Sequence, residues 1–499
     1  MKKRKGFTLV ELLAVIVILA VILVIAMPKI SEVIKKTRLS SLEATTKMII
    51  NSAEKKYTEN QVLDNSSSAI KCSDVAKLNE NDYGTCKITF DNNGNASVIL
   101  NGKKNGKFDN LTCSGTKGNI TCSEGQTEIT LKCVTGKSSL TQGDEYVNGQ
   151  YTYRYMQEIQ YDDTWHDAYS RENGWGVVLT DKNSTAPVTT DLCSSIDNMP
   201  IVSMSYMFSQ SQATSIDLSS FNTRDVTNMQ FMFSGSAATS LDISSFNTSN
   251  VENMMAMFES SQATTIIFGD KWNTSNVREM NKMFSNCNIT SLDLSILDLS
   301  RTDSLEGMFT ATKITNIDFS KLDTTNIRYM NNMFSYTKNL TLDLTELDTS
   351  NVTNMDGMFY ESQATTIIFG DKFDTSNVTN MGSMFSGSRA TSLDLSSFNT
   401  INVTNMGSMF YESVATTIKG LESFDTSNVT DMMHMFANSK MNSLDLSSFN
   451  TTDEVNMYGM FSESAATTGY AKTCEDAARF NASDLIPDTL TFTVKDTTC

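Results

Sequence analysis

Apolar positions along this chain fall into distinct rhythms. From Phe7 to Met27, 21 residues carry a single charge, Glu11. At about 1.5 Å per residue that run makes a helix roughly 32 Å long, enough to cross a hydrocarbon layer of about 30 Å. Beyond Pro28 the apolar residues Ile30, Val33, Ile34, Leu42, Ile49, Ala53 and Tyr57 recur at steps near three and four, which predicts an amphipathic continuation of the helix to residue 57. Between 58 and 125 the rhythm shortens to two. CKITF and ASVIL flank the turn-forming DNNGN, predicting a small α+β head in which short strands dominate.

From residue 201 a much longer period takes over. The dipeptide Met-Phe ends at Phe208, Phe233, Phe258, Phe284, Phe309, Phe334, Phe359, Phe385, Phe410, Phe436 and Phe461, at spacings of 25 or 26. A period of about 20 to 50 residues marks a solenoid or a propeller. One copy reads TSLDISSFNTSNVENMMAMFESSQAT. Leu241 and Ile243 alternate with Ser240, Asp242 and Ser244, which predicts one short strand. The NTSN that follows Phe246 predicts a turn whose side chains cap a helix start. Val251, Met254, Met257 and Phe258 lie on one face of about two helical turns. With one strand per unit, a four-stranded propeller blade is excluded. The expectation is an α/β solenoid of about ten such repeats on a parallel sheet over 201–468, closed by a C-terminal cap over 469–499.

Composition sharpens this picture. Of 29 methionines, 24 lie between Met204 and Met460, where flexible thioethers would fill gaps between stacked coils. The chain has 57 acidic and 39 basic residues, a net charge of −18, and residues 201–468 alone hold 29 acidic against 13 basic. So acidic a surface argues against nucleic acid as a partner, because Lys and Arg carry that binding. Two histidines, no nucleophile motif and no Gly-rich phosphate loop argue against an enzyme, and no cofactor is expected. Asp217, Asp242, Asp293, Asp318, Asp343, Asp394 and Asp445 share the outward strand position, with Ile267, Ile368 and Lys419 in the remaining copies. Two readings of that row stay open: a solvated face relieved by neighbouring hydroxyls, or a ligand face. The second includes Ca²⁺, which takes oxygen ligands, and no other metal site is expected.

The nine cysteines form no C-x-x-C pair, which weakens zinc and redox readings and favours disulfides. Nearness in sequence suggests Cys72 with Cys86, Cys113 with Cys122, Cys133 with Cys193, and Cys474 with Cys499. Cys287 is left as a buried free thiol. Residues 126–200 hold Trp165, Trp175 and many tyrosines in period-two patches. They read as a β-rich module capping the array, with an aromatic platform for a sugar or peptide as the alternative.

Two resemblances add to these readings. KGFTLVELL, in which Gly6 follows the four basic residues Lys2 to Lys5, resembles the processing site of type IV prepilins and pseudopilins. The resemblance implies a leader over 1–6 and cutting between Gly6 and Phe7 by a prepilin peptidase, which also methylates the new amine. It implies that Glu11 pairs with the N-terminal amine of a neighbouring pilin subunit. It also implies single-pass insertion in a bacterial cell membrane through 7–27, with the bulk of the chain outside, at the cell surface or in a pilus. The pattern L-D-L-S-x-F-[ND]-T-S-N-V-x-x-M-x-x-M-F resembles the BspA-type leucine-rich repeat of bacterial surface proteins. That resemblance implies adhesion to a host or bacterial surface ligand, protein or glycan. The copies with IIFGDKWNTSN, IIFGDKFDTSN and IKGLESFDTSN depart by one residue and lose the aspartate, and LDLSILDLSRTDSLEGMF lacks the NTSN turn. Together these features point to a pilin-like adhesin, a minor or tip component of a type IV-like filament. The alternative is a membrane-held scaffold or pseudopilin that enters no filament.

Overall fold

The computed structural model describes residues 34–60, 70–79, 81–91, 94–103, 106–109, 111–124, 131–156, 173–314, 317–338, 341–452 and 454–495. Among them no helix is long and apolar enough to cross a membrane. The apolar run 7–27, with Gly6, Phe7 and Glu11, lies outside the described residues, as do Trp165 and Cys499. The chain divides into two compact units, Met1–Ile129 and Thr130–Cys499.

In the first unit, helix α1 spans 34–60 and buries Leu42, Thr46, Ile49, Ile50 and Ala53 completely. This stripe at steps of three and four is the amphipathic face expected from the sequence, although Ile34 at its start is exposed. A short turn of helix, α2 (Cys72–Val75), precedes four strands: β1 (Tyr83–Phe90), β2 (Ala96–Gly102), β3 (Leu111–Thr116) and β4 (Asn119–Glu124). They form an antiparallel meander in chain order. Ala96, Val98 and Leu100 alternate onto the helix side of β2 and join α1 in one small core with Phe108, Leu111 and Cys113. Disulfides Cys72–Cys86 and Cys113–Cys122 staple this sheet.

The second unit opens with a six-stranded sheet in the order β5-β9-β10-β8-β7-β6. Its members are β5 (Leu131–Cys133), β6 (Glu145–Asn148), β7 (Tyr151–Met156), β8 (Gly174–Leu179), β9 (Cys193–Ile196) and β10 (Met199–Ser203). Cys133–Cys193 joins β5 to β9. Tyr151, Tyr153 and Trp175 are fully buried and share one core with the repeats that follow. Trp175 donates from its indole nitrogen to the Ile196 carbonyl at 3.2 Å. These rings are therefore interior packing of the β-rich module, and Tyr151, Tyr153 and Trp175 offer no face to the alternative, an aromatic platform.

The rest is a mostly-β parallel solenoid of about 13 turns. Strand pairs β11 (Ser240–Ile243) with β12 (Thr265–Phe268), β13 (Thr341–Leu344) with β14 (Thr366–Phe369), and β15 (Ser392–Asp394) with β16 (Thr417–Lys419) are parallel. So are β17 (Ser443–Leu446), β18 (Thr468–Ala471) and β19 (Thr491–Val494). The expected ten repeats undercount the stack, because rungs at both ends carry other residues. Val188 bridges Ile216 before the first full signature, and β18 and β19 extend the ladder through the segment expected to be only a cap. Helix α3 (Cys474–Asn481), capped by the Thr473 hydroxyl, links those last two rungs. In two central coils, Leu294–Ile296 and Phe319–Lys321 are single 3₁₀ turns in place of a strand.

The helical turns expected at Val251–Phe258 and its equivalents are not helices. Phe231, Phe233 and Gly235 donate to the carbonyls of Met255, Met257 and Glu259 in the next coil, while Met232, Ser234 and Ser236 donate three residues back. Phe231 and Gly235 have φ of 53° and 64°, and a left-handed pair four residues apart recurs in every coil from Tyr206 to Glu463. An α-helix keeps one sign of φ and bonds four residues back. This segment instead alternates local turns with bonds along the stack. The sequence pattern does not separate the two, because burial of Val251, Met254, Met257 and Phe258 gives the same spacing in either conformation. Inside, the phenyl rings of successive Met-Phe pairs stack from Phe208 to Phe461, with centroids 5.3–6.4 Å apart and planes within 12°. That is within the range of favourable offset stacking. Buried methionines pack beside them.

Candidate interaction surface

The fold uses the aspartate row for itself. Each ladder aspartate accepts through Oδ1 from the backbone N–H two residues on: Asp217 from Ser219, Asp242 from Ser244, Asp293 from Ser295, Asp318 from Ser320, Asp343 from Thr345, Asp394 from Ser396 and Asp445 from Ser447. This local bond turns the chain out of the strand. The next coil often sets a different group beside the carboxylate, as the registers Asp242↔Ile267, Asp343↔Ile368, Asp394↔Lys419 and Asp445↔Tyr470 show. Lys321 pairs with Asp293 at 3.4 Å and Lys419 with Asp394 at 2.9 Å, and Lys495 pairs with Asp445. The Ser396 hydroxyl, Lys419 and the Ser396 N–H pull the Asp394 carboxyl down to about 2. Hydrogen bonds from Ser295 lower Asp293, and those from Ser320 lower Asp318. Ca²⁺ takes about six to eight oxygen ligands. Among the described residues no group of three or more acidic, His or Cys side chains is placed to hold a metal ion.

The NTSN turn proves to be a joint between coils instead of a helix cap. The Thr248 hydroxyl donates to the Asn273 carbonyl at 2.8 Å and accepts from the Asn273 N–H at 2.7 Å. Thr223, Thr375 and Thr426 make the same reciprocal pair with Asn247, Asn399 and Asn450. The closing asparagine reaches the other way. Asn250, Asn351 and Asn402 donate from Nδ2 to the carbonyls of Arg224, Thr325 and Ser376 in the preceding coil. These buried hydroxyls and outer amides are structural, which removes the signature motif from the list of ligand-reading groups.

What varies between coils is the surface over the Met-Phe segment. From residue 336 onward it carries exposed rings. Tyr336 and Tyr360 meet edge to face at 5.3 Å, and His434 lies 6.4 Å from Tyr411 and 5.6 Å from Tyr458. Tyr336 and Tyr458 are about half exposed, at 49% and 51%. Glu361, Glu412 and Glu463 occupy the second left-handed position of their coils. Their charge reaches the phenols. A hydrogen bond with Tyr336 first, then burial and the carboxylates Glu361 and Glu412, hold Tyr360 above its ordinary range. Glu412 does the same to Tyr411 through a hydrogen bond, with burial and Glu463 adding to it. The sequence alone did not single out this strip, since the left-handed position becomes visible only once the coil conformation is known.

Cysteine chemistry is confined to stapling. Three of the four expected pairings are present. Cys474 is disulfide-bonded too, and its expected partner, Cys499, lies outside the described residues. Cys287 is buried and free, and burial pushes its thiol up to about 11, away from reactive thiolate.

Residues 182–287, 261–370 and 366–475 match the family model described as Mycoplasma protein of unknown function, DUF285. Residues 1–27 match the prokaryotic N-terminal methylation motif. Comparison with curated proteins finds no match.

Proposed function

The chain belongs to the family described as Mycoplasma protein of unknown function, DUF285, and from that premise we propose that it is a cell-surface, pilin-like interaction subunit. The carrying observation is the union of an N-terminal methylation motif over 1–27 with a solenoid whose internal joints are uniform while its outer face varies from coil to coil. In this reading a prepilin peptidase cuts after Gly6 and methylates the amine of Phe7. The segment 7–27 holds the chain in the membrane with the array outside. Glu11 then pairs with the amine of a neighbouring subunit, which compensates a carboxylate that would otherwise be costly in lipid. The likeness of the repeat to BspA-type leucine-rich repeats supports adhesion to a protein or glycan on a host or bacterial surface. A head of this size is hard to repeat along a crowded filament, which favours a minor or tip subunit. We assign it no reaction.

The test is the substitution Glu11→Val in the full chain. Sheared filaments should lose the protein while N-terminal sequencing still finds Phe7 first. Incorporation equal to that of the unsubstituted chain would defeat the filament role, and labelling confined to the envelope would put the membrane-held scaffold in its place.

A further inference from the structure

Three alternate coils each carry a tyrosine and a glutamate on the same outer segment: Tyr360 directly before Glu361, Tyr411 directly before Glu412, and Tyr458 five residues before Glu463. The coils between them place small or neutral groups at the glutamate position, Gly387 and Asn438, both also left-handed. At Gly387 a Cβ would come within 3.0 Å of a Glu361 carboxylate oxygen, so the absence of a side chain there lets Glu361 lie across the next coil. Elsewhere on the array several surface glutamates have cations from adjoining coils: Arg278 with Glu252, Lys282 with Glu306 and Lys372 with Glu346. Among the described residues, no Lys or Arg lies within salt-bridge distance of Glu361, Glu412 or Glu463. Residues 351–468 hold 13 acidic and 4 basic side chains, so the surrounding field also favours a cation.

The spacing selects the shape of the partner. Coils stack about 4.8 Å apart, which sets glutamates on alternate coils at about 9.6 Å. A polyproline II segment has three residues per turn and rises about 3.1 Å per residue, so every third side chain recurs at about 9.3 Å on one face. An extended strand repeats its face at about 6.7 Å and falls out of register at once. Seven residues of α-helix advance about 10.5 Å and drift by about 1 Å at each step. Tyrosines at a surface, as Tyr458 is exposed and Tyr360 and Tyr411 are half-buried, are also the groups on which proline-rich helices dock, and their faces accept Lys and Arg.

We propose that the strip Tyr360/Glu361, Tyr411/Glu412 and Tyr458/Glu463 is a docking track for a protein segment in polyproline II conformation with Lys or Arg at every third residue. This rests on the reading of the array as an interaction surface and names the class of partner. Three cationic side chains meet the three carboxylates over roughly 19 Å, the span of seven residues in that conformation. The intervening small residues pack on the tyrosine rings.

The test uses the full chain in detergent and fluorescent peptides of equal length and equal positive charge, read by anisotropy. Lys-Pro-Pro repeats should bind about tenfold more tightly than peptides with the lysines at every second residue, and binding should weaken with salt. The triple variant Glu361→Gln, Glu412→Gln, Glu463→Gln should lose that preference, while Asp343→Asn, on the aspartate row, should keep it. Binding that ignores lysine spacing, binding that survives the triple variant, or no binding by any peptide would each overturn the track. Cell-surface adherence of the triple variant separates this failure from that of the broader reading. Adherence that persists without peptide binding rejects the track alone, whereas a full chain that adheres to nothing rejects the interaction role itself.

Discussion

The N-terminal unit and the solenoid hold their backbones together in contrasting ways. The meander β1–β4 pairs neighbours in sequence, rests one face on a single helix and carries two disulfides in fewer than 130 residues. The array between 201 and 468 contains one cysteine, unpaired, and every backbone bond between coils joins residues about one repeat apart. A small core cannot bury enough surface to stand unaided, so the first unit limits its unfolded state covalently. The solenoid gains stability by repetition, each coil completing its neighbour's core. The lesson is one of reach: damage in the first unit should stay there, and damage in the array should spread along it.

The largest effect should come from cutting the aromatic stack. Phe359 is fully buried between Phe334 at 5.9 Å and Phe385 at 5.3 Å. Phe359→Ala should cost about 3–5 kcal/mol in the array and raise amide exchange in the flanking coils as well as its own. Phe108→Ala, in the small core of the first unit, should leave the array transition in place. An unchanged array midpoint in Phe359→Ala would refute the cooperative picture. Next in size is the double substitution Cys113→Ala, Cys122→Ala, which opens a short hairpin loop. It should destabilise the first unit by about 2–3 kcal/mol with no shift of the array in calorimetry.

These differences were unevenly legible in the sequence. Met-Phe at steps of 25 or 26 announced a stack, because a core position that must contact its own image cannot drift. Cys113 and Cys122 paired as their nearness suggested because they sit directly opposite each other across the β3–β4 hairpin. The Val251–Phe258 segment was read as helix because burial pattern reports which residues point inward and carries no sign of φ. The Tyr–Glu strip was hidden for the same reason: Glu361 and Glu412 look like scattered surface charges until the left-handed position aligns them on alternate coils. The Asp row was visible as a row, yet in the fold each member accepts from the residue two positions further along its own chain. A periodic pattern shows that such a position matters without saying to whom.

A smaller effect sharpens the contrast at the level of one hydroxyl. Thr375 is fully buried, donates to the Asn399 carbonyl at 3.0 Å and accepts from its N–H at 2.8 Å. Thr375→Val keeps the shape and strands both groups, which should cost about 1–3 kcal/mol. Thr46 in α1 is equally buried, but its hydroxyl donates to the Leu42 carbonyl of its own helix at 2.9 Å. Such back-bonding adds little to a helix, so Thr46→Val should be nearly neutral. Equal losses in urea unfolding of the two variants would remove the distinction between joints and decoration.

The smallest expected effect is the acid limb of the array. Asp394 titrates near 2 in the folded chain because Ser396 and Lys419 stabilise its charged form, against about 3.9 for an unfolded aspartate. A folded value below the unfolded one means the fold binds fewer protons, so stability from this group is complete above about pH 4 and drains away as pH falls through about 2. Asp293 and Asp318, lowered by their own Ser295 and Ser320 bonds, act in the same direction. These carboxylates are exposed, and solvent screens each contribution. The array melting temperature should therefore be nearly level from pH 7 to pH 5 and decline between pH 4 and pH 2. Asp394→Asn should shallow that decline without changing its position, and a decline equally steep in the variant would mean that the ladder aspartates contribute no charge-dependent stability.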